Sequence, residues 1–160
     1  MVAGVDVGGP RKGFHAVILH EGKFVAKMSS REAHHIAAWC RAQGATVVAV
    51  DAPCRWRTSG LARAAERELA KEKISCFSTP TEARATDHPF FTWMIAGQAL
   101  FRALHATHPI CSNTAQRVSV AVETFPQAVA CALAGQIVLA KKKGVVRRQY
   151  WSGQVWRQSH

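Results

Sequence analysis

The sequence is short of acids. Ten of its 160 residues are Asp or Glu against 21 Lys and Arg, a formal charge of +11 and a pI near 10.1. That imbalance favours a polyanionic partner, nucleic acid or a phosphorylated ligand. Paired cysteines are missing too: Cys40, Cys54, Cys76, Cys111 and Cys131 are widely spaced with no C-x-x-C, so neither a zinc knuckle nor a thioredoxin motif is written here. An odd number of cysteines behind no signal peptide fits a reducing cytoplasm. The longest apolar stretch, Ala128–Ala140, has 13 residues with Gln136 inside it. It falls short of the roughly 20 needed to span a bilayer, so it reads as a buried helix and no membrane partner is expected. Neither G-x-x-x-x-G-K-[ST] nor G-x-G-x-x-G occurs, and there is no internal repeat or low-complexity linker.

What remains is a chain of one-domain length, 48% hydrophobic and 19% charged, with its charge unevenly placed. Residues 1–87 carry thirteen bases and nine acids; residues 88–160 carry eight bases and a single acid, Glu123.

Val2–Val7 is a short apolar run ended by Gly8-Gly9-Pro10, and His15–His20 and Lys23–Met28 alternate on either side of Glu21-Gly22. Three strands in a meander are expected, the last two a hairpin. Ser29 or Ser30 is placed to cap a helix in which Ala33, Ile36, Ala37 and Cys40 recur at helical spacing before Gly44. Thr46–Asp51 reads as a strand covered on both faces, Leu61–Lys73 as a helix with a solvated face, and Ile74–Ser78 as a further short strand. Pro89–His105 reads as a long apolar helix, with Trp93, Met94, Phe101 and Leu104 in the core. Val118–Glu123 reads as another buried strand feeding the last helix. A meander followed by strands alternating with helices predicts an α/β mixed sheet. Lys141–His160 contains no acid and no apolar period.

Three of the ten acids stand in matching places: Asp6 in VDVGG, Asp51 in VAVDAP and Glu123 in AVETFP, each at or near the end of an apolar run. A carboxylate beside a buried strand is costly unless paired or metal-bound, and open α/β sheets place ligands at strand carboxyl ends. Convergence of the three would call for a divalent cation, and oxygen-only ligands suit Mg2+ or Mn2+. The alternative is local pairing of each acid with Arg11, Lys12, Arg55 or Arg57, or backbone hydrogen bonds in a turn. Gly8-Gly9 fits a tight turn or a phosphate cradle. Arg55-Trp56-Arg57 fits a phosphate clamp or a surface loop. Cys54, beside Arg55, has thiolate character within reach but no fixed His partner. His105, His108 and Cys111 have ligand-like spacing without a fourth ligand.

The stretches AGVDVGGPRKGFHAV (residues 3–17), VAVDAPCRWR (48–57), CFSTPT (76–81) and ETFPQA (123–128), in that order, resemble the family of domains of unknown function numbered 429. That family is described as predicted nucleases with a ribonuclease H-like fold. The resemblance implies a mixed sheet opening with three antiparallel strands and an acidic two-metal site. Asp6, Asp51 and Glu123 would be its ligands and catalytic acids, with Arg11, Lys12, Arg55 and Arg57 on the substrate. Members run on into a helix bearing an Asp-containing motif. Here nothing after Glu123 is acidic, so the expected domain is residues 1–148 without that helix, followed by an atypical tail at 149–160.

The leading expectation is therefore a metal-dependent nuclease or phosphodiesterase acting on nucleic acid, impaired if its C-terminal end is incomplete. Two alternatives stay open: a non-catalytic basic nucleic-acid-binding module, and one half of an actin-like nucleotide-binding ATPase.

Overall fold

The computed structural model describes residues 1–112 and 119–137. Five strands, β1 (Val2–Val7), β2 (Phe14–His20), β3 (Lys23–Ser30), β4 (Val47–Asp51) and β5 (Val120–Glu123), form one open mixed sheet in the order β3-β2-β1-β4-β5. β1, β2 and β3 are antiparallel neighbours, whereas β4 and β5 run parallel to β1. The described helices are α1 (Gly9–Lys12), α2 (Ala33–Ala42), α3 (Ala64–Lys71), α4 (Glu82–Thr86), α5 (Thr92–Leu104) and α6 (Pro126–Ala134), with a 3-10 turn at Pro89–Phe91. No helix among the described residues is long and apolar enough to cross a membrane.

Alternation sorts the strands into two faces. Ala3, Val5 and Val7 of β1, Phe14, Ala16 and Ile18 of β2, and Val48 and Val50 of β4 are all buried on one face. Against them lie Ile36, Ala37 and Cys40 of α2 and Leu100, Phe101 and Leu104 of α5. The meander, the helical period of α2 and the core role of Met94, Phe101 and Leu104 are as expected. α2 starts later than its serines suggest: β3 continues through Ser30, whose hydroxyl accepts the N–H of Glu32 at 3.0 Å. Ile74–Ser78 is not a strand. Among the described residues it pairs with no strand: β5 lies beside β4, and the outer side of β5 carries a bridge from Ile110 to Ala121.

His108 is buried and fully used, with Nε2 2.8 Å from the Ala45 carbonyl and Nδ1 2.9 Å from the Thr107 hydroxyl. The turn reading of Gly8-Gly9 holds as well: the Gly8 N–H donates to the Gly13 carbonyl at 2.8 Å and the Gly13 N–H to that of Gly9 at 2.7 Å.

Two contacts fix α5 to the end of β4. A Cβ added at Gly97 would lie 2.3 Å from the Cβ of Ala52, and the Gln98 side chain donates to the Pro53 carbonyl at 2.6 Å. Gly97→Ala is therefore expected to destabilise the fold by about 1–3 kcal/mol through overpacking, although alanine is the better helix former by about 1 kcal/mol. Urea unfolding measures this; a variant more stable than the parent would show that α5 moves away at no cost.

Candidate functional site

Register decides which acids can meet. Asp6 of β1 lies directly abreast of Asp51 of β4. Side-by-side residues of parallel strands project to the same face, so the two carboxylates share the face opposite the α2–α5 layer. Asp6 is exposed and Asp51 half-buried. Burial first, and the charge of Asp6 second, push the Asp51 carboxyl up from 3.8 to about 6.

Glu123 is abreast of Val50, one position short of Asp51, and so projects to the opposite face. The structure thus brings Asp6 and Asp51 together and assigns Glu123 other partners. Its Oε1 accepts from Arg63 Nη2 at 2.5 Å, and its Oε2 accepts from Arg63 Nη1 and from the Cys54 backbone N–H, both at 2.8 Å. Burial alone would raise the Glu123 carboxyl, but the Arg63 hydrogen bonds and the Cys54 N–H outweigh it and hold the group below the usual carboxylate range.

Arg63 is shared with Glu66. Its Nε donates to Glu66 Oε1 at 2.8 Å and its backbone N–H to Oε2 at 2.9 Å. Glu66, only 5% exposed, also accepts the Thr79 N–H at 3.0 Å and the Thr79 hydroxyl at 2.5 Å. Burial works against the Glu66 charge, yet the hydrogen bonds from Thr79 and Arg63 hold its carboxyl low. Burial likewise opposes the Arg63 charge, and hydrogen bonds to both glutamates more than reverse that. This corrects the expectation of a solvated face for this helix: α3 turns Glu66 inward, and the Thr79 hydroxyl is spent on it. Only the spacing of Arg63 and Glu66, three residues apart at the helix start, hinted at the pairing.

The cations expected on substrate divide in two. Arg11 and Lys12 are exposed on α1, immediately past the end of β1 that carries Asp6, and Arg55 is exposed just after Asp51. Arg57 is committed to the fold, donating to the carbonyls of Thr79 and Gly60. The Cys54 thiol is pushed up to about 11 by burial and by its hydrogen bond to Glu123, which removes thiolate character near neutral pH. Asp51, Arg63, Glu66 and Glu123 line one cleft with Trp93 and Phe125. Among the described residues, no three His, Cys, Asp or Glu side chains are grouped to hold a metal ion. The tail at 149–160 lies outside the described residues.

No curated protein and no solved structure matches the chain. A family model does match, over residues 4–159, and so runs through the tail as well as all four motifs. With nearly the whole chain covered, it belongs to the family described as proteins of unknown function, DUF429.

Proposed function

We propose that this chain is a metal-dependent nuclease or phosphodiesterase acting on nucleic acid, with Asp6 and Asp51 as its cation site on a ribonuclease H-like sheet. The observation that carries the reading is the abreast pair of carboxylates at the carboxyl ends of two adjacent parallel strands. A carboxyl pushed up by burial first and by its like-charged neighbour second is the situation a cation relieves. Magnesium fits two carboxylates, since it keeps several waters and completes its shell with phosphate oxygens. When bound there, a divalent cation would stabilise phosphate charge and activate water. Arg11, Lys12 and Arg55 would position the phosphate backbone. Glu123, paired with Arg63, holds the loop that follows Asp51 directly, by accepting the Cys54 N–H.

The test is cleavage of labelled single-stranded DNA, RNA and a DNA–RNA hybrid by the purified protein with Mg2+ or Mn2+. Cleavage is expected to require the metal, to stop with EDTA, and to fall at least 100-fold in Asp6→Asn. Turnover that survives Asp6→Asn would remove the proposal.

The commitment of Glu123 to Arg63, which leaves two acids at the site, favours one other reading: a basic module that binds nucleic acid without cleaving it. Binding that weakens steeply with salt, with no turnover in any metal, would select it.

A further inference from the structure

The row that begins with the two aspartates continues across the sheet. Asp6 is abreast of His15 on β2, and His15 is abreast of Ser29 on β3. Asp51, Asp6, His15 and Ser29 therefore stand side by side on four neighbouring strands, all on the face opposite α2 and α5. Three strand spacings make the row about 14 Å long. His15 and Ser29 are exposed, and so is Lys27, two residues before Ser29 and hence on the same face.

The histidine ring is held in one orientation. His15 Nδ1 lies 2.8 Å from the Ser29 hydroxyl, which turns that nitrogen toward β3. In the tautomer in which the serine O–H donates to Nδ1, the ring hydrogen sits on Nε2, which has no hydrogen-bond partner among the described residues. In that tautomer an oriented N–H and the Lys27 ammonium lie on open sheet beside a pair of acids, while the serine hydroxyl, its one hydrogen given to Nδ1, orients the ring. Two abreast carboxylates repel a phosphate, so a phosphodiester crossing this face needs donors next to them, and this cluster supplies them.

We propose that His15 and Lys27, with Ser29 orienting the His15 ring, form a phosphate subsite on β2 and β3 that binds a backbone phosphate of the nucleic acid beside the Asp6–Asp51 pair. The proposal rests on the function proposed above for that pair. It also gives the substrate a direction: across the strands, from Asp51 toward the β3 edge.

Two readouts separate the subsite from the reading it rests on. Mg2+ binding to the intact chain and to Asp6→Asn, followed by calorimetry, tests the acid pair. Binding of dithymidine monophosphate, followed by calorimetry and by the ring signals of His15 in 1H–13C spectra, tests the subsite. The dinucleotide should move the His15 signals saturably. His15→Ala should weaken its binding about tenfold, Lys27→Gln and Ser29→Ala about threefold each, with Mg2+ affinity unchanged in all three.

If Mg2+ binds the parent and not Asp6→Asn, while His15→Ala binds the dinucleotide as tightly as the parent, the subsite is overturned and the acid pair stands. If the dinucleotide requires His15 but Mg2+ does not bind, the subsite stands and the cation site falls. Loss of Mg2+ affinity in His15→Ala would make His15 a metal ligand and would likewise overturn the subsite.

Discussion

Replacing Arg63 with methionine is expected to lower stability by about 3–5 kcal/mol at pH 7, the range for breaking a buried ion pair by removing one partner. Arg63 is half-buried and serves two carboxylates at once, by a fork on Glu123 and by Nε on Glu66. Methionine fills much of its volume and leaves the buried charge of Glu66 and the half-buried charge of Glu123 with only backbone N–H groups and the Thr79 hydroxyl. The loss should shrink in acid. In the parent, the carboxyls of Glu66 and Glu123 are held below their unfolded value, so their contribution is present above that value and is lost as pH falls through the folded one. In the variant, burial raises the same groups, so its stability improves as pH falls toward 4. Both slopes close the gap.

Urea unfolding at pH 7 and at pH 4.5 measures this. Arg63→Lys should recover less than half of the loss, because an ammonium cannot make the fork on Glu123 and also reach Glu66. A loss under 1 kcal/mol, equal at both pH values, would mean that the pair behaves as an exposed salt bridge.

How far the site can be read from the sequence follows from the same geometry. Asp6 and Asp51 both end apolar runs, and both runs belong to strands whose alternation the sequence shows, so their candidacy was legible. Their adjacency rests on register, which the sequence leaves open: a slip of one residue moves a side chain to the other face. Glu123 illustrates the point. VAVE and VAVD look interchangeable, yet β5 is set one residue out from β4, so Val50 rather than Asp51 faces Glu123.

Arg63 and Glu66 were hidden for a different reason. In an Ala-, Glu- and Arg-rich helix they resemble surface residues, and only Glu123, 60 positions away, together with the Thr79 loop, gives Arg63 and Glu66 a reason to be inside. Ile74–Ser78 has a strand's composition, yet among the described residues it pairs with no strand, and β5 rather than this segment lies beside β4. His15 and Ser29 carry no local mark at all; they become a pair only when β2 and β3 are laid in register.

Asp51→Asn is expected to make the protein more stable at pH 8, by up to about 3 kcal/mol, and to change little at pH 4. The sign follows from the direction of the shift. The Asp51 carboxyl is at about 6 in the folded chain against 3.8 without its surroundings, so between those values the folded state holds the extra proton. Its contribution is then fully present below about pH 4 and is lost as pH rises through about 6. Above that, ionised Asp51 opposes folding through burial first and the charge of Asp6 second, and asparagine removes both. Asp6→Asn relieves only the second and should stabilise by less.

A divalent cation offers the parent a different relief. Mg2+ at 100 times its dissociation constant should raise stability at pH 8 by about 2.7 kcal/mol, and by much less at pH 5, where the proton competes for Asp51. Asp51→Asn should lose that increment while keeping its own. Thermal unfolding of the two proteins at pH 5 and pH 8, with and without Mg2+, contains the whole test. A substitution that stabilises the fold and abolishes the response to metal marks a carboxylate held against folding for binding. If the two proteins share the same pH dependence and the same response to Mg2+, the Asp51 charge is instead fully solvated, and the acid pair has no hold on a cation.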